Sequence, residues 1–228
     1  MKNRILLILI TFMLAVSIVG CKKKKTTIDS KKEQDAASQK KNEEEFKNNA
    51  LEIIKKYKVI QKENEENPDK KVILAKVGDE EVLKSDIDFV MESRYIGKDS
   101  LPDEETQKKE RDVILENMIQ KAGAISYAKK NGLYPSDEDI NIALAKLKET
   151  INSDEYETKK AEEVMKKTGW NMDQYVESYR KDIAETFAVD SIFKDYKKKY
   201  PTKEDQKYTF QNFLDEIMSG EQVERFDK

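Results

Sequence analysis

The chain contains no histidine, and its one cysteine, Cys21, closes the tetrapeptide Ile18-Val19-Gly20-Cys21. The commonest general base and transition-metal ligand is therefore missing, and no second thiol exists. Carboxylates, lysines and hydroxyls remain. Asp86 with Asp88, and Asp137 with Glu138 and Asp139, lie close enough in sequence to act as paired acids or calcium ligands. Neither group has the alternating ligands, central glycine and closing glutamate of a calcium loop. Both fall where a helix is expected to start, and capping and the helix dipole account for acids there. No glycine-rich phosphate loop occurs. The sequence points away from an enzyme: no catalytic residue, metal ligand or cofactor site is assigned.

Cys21 has a different chemistry available. Lys2 and Arg4 precede an apolar run from Ile5 to Gly20, shorter than the roughly 20 residues that span a bilayer and suited to a secretory signal. The tetrapeptide looks like a bacterial lipobox, at which a diacylglycerol is joined to the cysteine and the signal removed. Residues 1–20 are thus expected to be a lipoprotein signal peptide, with Cys21 as the lipidation site. One acyl chain holds a protein to a bilayer only marginally, at about 0.8 kcal/mol per buried methylene, so two or three chains would make the anchor effectively permanent. Lys22 to Lys25 add attraction to an anionic surface. The expected location is the cell membrane, lipid-anchored, on the extracytoplasmic side. With Cys21 acylated no thiol is left for disulfide or redox chemistry.

Composition sets the scaffold. Charged residues make up 39% of the chain, with only 7 glycines and 4 prolines, which favours long exposed helices over sheet. The net charge of −3 argues against nucleic acid, where a basic face is expected. Residues 21–42 carry almost no apolar side chain and read as a flexible tether. Residues 43–70 read as a helix and linker, with Phe46, Ala50, Ile53, Ile54, Tyr57 and Ile60 on one side, broken at Asn67-Pro68-Asp69.

Residues 71–228 hold the expected domain: mainly α, an irregular multi-helix domain with a short two-stranded β-hairpin near residues 72–83. Gly78-Asp79 makes the hairpin turn, and Ser85 is expected to cap the helix that follows. A long helix carrying Val113, Ile114, Met118, Ala122, Ile125 and Ala128 ends at Asn131-Gly132. Ser136 then caps a helix with Ile140, Leu144, Leu147 and Ile151 on one face. Two such amphipathic helices joined by a tight corner must pack on each other or on a third. Further helices are expected over 154–168, closed by Gly169, over 171–199, stopped by Pro201, and over 202–218. Gly220 leads to a polar tail.

The order of these pieces resembles the N-terminal chaperone domain of the SurA and PrsA class of extracytoplasmic folding factors. The residues that carry the resemblance are Ala75-Lys76-Val77-Gly78-Asp79-Glu80-Glu81-Val82 with Lys84-Ser85-Asp86-Ile87. Ala128-Lys129-Lys130-Asn131-Gly132-Leu133 with Ser136-Asp137-Glu138-Asp139-Ile140 form the second match. Gly169-Trp170, Asp173-Gln174-Tyr175 and Arg180-Lys181-Asp182-Ile183 form the third. Many relatives also carry a parvulin-type prolyl isomerase with a histidine-centred site. The 28 residues after Tyr200 are too few for that domain, and histidine is absent.

The resemblance implies a lipid-anchored extracytoplasmic chaperone, a holdase that binds unfolded or nascent secreted polypeptides without catalysis. A surface lipoprotein scaffold that binds one folded partner is the alternative. Either would work through apolar surface, for which the methionines and aromatic residues are the material. Tyr134, Trp170 and Tyr175 are the candidate polypeptide-binding residues, because they stand at helix ends, where packing is least complete. The expected partners are unfolded secreted polypeptides and, through Cys21, the membrane.

Overall fold

The computed structural model describes residues 32–98, 100–201 and 208–226. Helix α1 is Lys32–Glu66, and a 3-10 turn, Pro68–Lys70, follows it. Strands β1 (Ile73–Val77) and β2 (Glu80–Leu83) form the hairpin, then α2 (Lys84–Arg94), α3 (Glu104–Lys130) and α4 (Asp137–Ser153). Next come α5 (Glu155–Thr168), α6 (Met172–Glu177), α7 (Arg180–Lys199), α8 (Phe210–Ser219) and a strand β3 (Val223–Arg225). The mainly α domain with its hairpin is what the residue pattern implies. The signal, Cys21 and Lys22–Lys25 lie outside the described residues, and among those residues no helix is long and apolar enough to cross a membrane.

The caps explain most boundaries. Ser136 Oγ accepts the Asp139 amide at 3.2 Å and starts α4. Asp103 and Asp154 do the same for α3 and α5. Asn171 and Gln174 exchange hydrogen bonds in a capping box that starts α6. Gly169 closes α5 at φ 74°, a left-handed conformation that a side chain would strain. Ser85 is not a cap: α2 begins one residue earlier, at Lys84, directly off β2, and Leu83 at its N-cap makes no side-chain bond.

Three details depart from the sequence pattern. The helix expected over 171–199 is two, α6 and α7, with Ser178 and Tyr179 between them. The break frees the Ser178 carbonyl, and α1 satisfies it with Lys58 Nζ at 3.1 Å and Gln61 Nε2 at 3.2 Å. The polar tail after Gly220 is a strand: β3 pairs antiparallel with β1, giving the order β2-β1-β3. Finally, the first helix begins at Lys32, so residues 32–42, expected as tether, are helical; α8 begins at Phe210 with Thr209 as its cap, and its expected start at 202 lies outside the described residues.

Buried side chains gather in three groups. The first joins Ile54 of α1, Ile140, Leu144 and Ile151 of α4, Val164 of α5, Tyr175 and Val176 of α6, and Ile183 of α7. The second lies under the sheet, where Val77 and Val82 meet Ile87 and Met91 of α2 and Ile114 and Ile119 of α3. The third joins Ile125 and Ala128 of α3 to Ile192 and Tyr196 of α7 and Phe213 and Ile217 of α8. Each large aliphatic chain fully buried in this way contributes about 1.5–3 kcal/mol. Helix α3 belongs to the second and third groups, so its length ties the sheet to the C-terminal helices. Gly123 lets α8 approach α3 closely, since a β-carbon there would clash with Met218 Sδ.

Candidate functional site: an apolar groove along α3

One face of α3 is incompletely covered. Ile114, Met118, Lys121 and Ala124 recur at steps of three or four residues, so they form a single stripe along the helix. The end of α2 stands beside this stripe with Val90 and Arg94, one turn apart. Helix α7 adds Val189 and Ile192, and α8 adds Phe210 and Leu214. Between them lies a groove of about 330 Å³, at the small end of the range for binding clefts, roughly 300–1,000 Å³.

Ile114, Ala124 and Ile192 are buried and make the floor, while Val90, Met118, Val189, Phe210 and Leu214 are partly exposed walls. Phe193 extends the aromatic wall outward. Its ring lies 5.2 Å from that of Phe210, edge to face, and it is 37% exposed.

The polar groups around the groove are mostly engaged. Lys121 pairs with Glu185 of α7. Gln120 Nε2 donates to Asp215 Oδ1 at 3.3 Å, and Gln211 Nε2 donates to the same oxygen at 2.9 Å. Arg94 differs. Its Nε is shielded from solvent and has no hydrogen-bond partner among the described residues.

The three residues singled out in the sequence lie elsewhere. Tyr175 is 1% exposed, and its hydroxyl meets that of Tyr179 at 3.0 Å inside the first core group. Burial pushes its phenol up to about 12. Tyr175 is thus a packing residue, because the short helix α6 turns it inward against α4 and α5. Trp170 is half-buried against the same group. Tyr134 packs between the first and third groups, with Lys129 Nζ 5.1 Å from its ring centre. None of the three lines the groove.

The carboxylate pairs are also accounted for. Asp86 accepts a hydrogen bond from the Tyr57 hydroxyl at 2.9 Å and is raised above the usual carboxylate range, mainly by burial. Asp88 is desolvated too, but hydrogen bonds from Lys84 and Arg111 hold its carboxyl below that range. Asp137, Glu138 and Asp139 occupy the first turn of α4.

A hairpin feeding a helix, a long central helix and a closing helix pair around an open apolar cleft define a helical binding module. Residues 2–187 match the SurA-like N-terminal domain, so the chain belongs to that family. Membership supports a chaperone-type role, with unfolded polypeptides as the general kind of partner. No curated protein and no solved structure matches the chain. The match ends within α7, so Phe210 and Leu214, which form one wall of the groove, lie beyond it.

Proposed function

We infer that the protein is a lipid-anchored holdase that binds unfolded or nascent secreted polypeptides outside the cytoplasmic membrane, without catalysing a covalent step. The observation that carries this reading is an open apolar groove, walled by Val90, Met118, Val189, Phe210 and Leu214, in a SurA-like N-terminal domain. A cleft of this size takes a few side chains of an extended segment rather than a folded surface, for which interfaces bury roughly 1,200–2,000 Å². Binding is accordingly weak, and the thioether of Met118 suits apolar side chains of varied shape. The lipobox-like tetrapeptide at Cys21 and the following lysines support the anchored, extracytoplasmic placement.

Light scattering of a reduced or heat-unfolded secreted protein tests the reading. The full chain suppresses aggregation at a few-fold molar excess, and Leu214→Asp, which places a charge in the groove wall, removes most of that effect. Unchanged scattering with the wild-type chain overturns the proposal.

A further inference from the structure

Resting on the reading of the groove as the polypeptide site, we propose that it selects apolar segments bearing an acidic side chain, whose carboxylate is taken by Arg94. Besides Arg94, the polar side chains that line the groove are Asn117, Gln120 and Lys121; Gln120 is bonded to Asp215 and Lys121 is paired with Glu185. Arg94 alone combines a lining position, partial exposure and a solvent-shielded Nε with no acceptor.

A buried donor left unpaired is costly, and native interiors rarely keep one without a reason. The Nε is shielded, so a carboxylate entering from the groove meets the two terminal amino groups of the guanidinium, which can take it through two parallel hydrogen bonds. Asn117 on α3 and Phe193 on α7 are exposed beside the groove; an unfolded chain offers acidic side chains far more often than it offers its one terminal carboxylate. The apolar walls then hold the neighbouring residues, and the ion pair sets register.

Fluorescence anisotropy with the full lipidated chain in nanodiscs, and empty nanodiscs as the blank, tests this. The probes are end-blocked, labelled decapeptides of leucine, phenylalanine and serine carrying one glutamate, or glutamine in its place. A third has the glutamine and a free terminal carboxylate. The glutamate peptide binds about tenfold tighter than the glutamine peptide, the scale of a charge-assisted hydrogen bond in a partly desolvated site. Arg94→Met removes the difference between the glutamate and glutamine peptides. Arg94→Lys retains part of the preference.

Equal binding of all three peptides, abolished by Leu214→Asp, overturns charge selection while leaving the groove as the polypeptide site. A gain seen only with the terminal carboxylate also overturns the proposal, in favour of chain ends. If none binds and sedimentation shows a dimer that Arg94→Met dissociates, the occupant is a second copy. If none binds and the chain is monomeric, the groove reading itself fails.

Discussion

The first core group and the groove along α3 are built from the same kinds of residue, yet one is sealed and the other is not. In the core group even a lysine is accommodated. Lys58 is 1% exposed, but its ammonium donates to Gln61 Oε1 at 3.0 Å and the Ser178 carbonyl at 3.1 Å, and lies 4.0 Å from the Tyr179 ring centre. The two hydroxyls of Tyr175 and Tyr179 satisfy each other. In the groove of similar apolar character, Arg94 Nε finds no partner among the described residues. A buried polar group with all its partners specifies a fold, whereas one without them marks where the fold is incomplete alone. Apolar content therefore does not separate core from binding surface here; hydrogen-bond closure does.

The sharpest way to break that contrast is to remove a large side chain from the sealed side. Tyr175→Ala deletes a ring that is almost wholly inaccessible and is expected to cost about 3–5 kcal/mol, as aromatic truncations in cores do. Urea denaturation measures the loss. At temperatures where the variant stays folded, suppression of client aggregation is unchanged, since Tyr175 does not line the groove. Lost suppression in a folded variant would return Tyr175 to the binding surface.

Lys58 gives the next effect, and it depends on pH. Burial lowers its ammonium from 10.5 to about 8 in the folded chain. Between those values the unfolded chain holds more protons, so stability rises with pH. Burial raises the phenols of Tyr57, Tyr175 and Tyr179 above 10. Their folded-state contribution is complete below pH 10 and lost above it. Stability therefore climbs from pH 8 to a maximum near pH 10, by on the order of 1–2 kcal/mol, and then falls. Lys58→Met flattens the rise and keeps the fall; the Ser178 carbonyl still accepts from Gln61. A rise that survives in Lys58→Met places its source elsewhere.

These two sites show what the sequence makes legible. Ser136 and Gly169 announce their helix ends through local chemistry, and the structure uses them so. The hairpin turn at Gly78 is equally local. Ser85 misleads because β2 runs straight into α2, leaving no separate cap position. The break at Ser178 depends on donors from Lys58 and Gln61, more than a hundred residues away, which no window on 171–199 contains. Tyr175 looks exposed because it stands near a helix start, but α6 is so short that its side chains are absorbed by α4 and α5. The groove is harder still. Val90 and Arg94 recur at i,i+4 in α2, as Phe210 and Leu214 do in α8, and a charged residue interrupting an apolar face is a visible signal. Only the tertiary arrangement of α2, α3, α7 and α8 tells that the face stays uncovered.

On the open side, Phe210→Ala separates binding from folding. The ring is only partly buried, so truncation costs about 1 kcal/mol by the area it covers. Its loss widens the groove and strips one wall, and aggregation suppression falls several-fold. A large drop in stability with suppression intact would make Phe210 a core residue like Phe213.

The smallest effect concerns the strap that closes the sheet. Arg225 in β3 donates to both carboxylate oxygens of Glu116 on α3, each at 2.7 Å, and this holds the Glu116 carboxyl below its usual range. A lowered carboxylate contributes stability above its unfolded value of 4.5 that is lost as pH falls. Both side chains are largely exposed, so water and salt screen the pair and Glu116→Gln costs less than about 1 kcal/mol. What holds β3 is the ladder to β1, continued by the Phe226 amide on the Leu74 carbonyl at 2.8 Å. Hydrogen exchange at Phe226 therefore stays protected in Glu116→Gln. Fast exchange there would make the ion pair, rather than the strand pairing, the clasp.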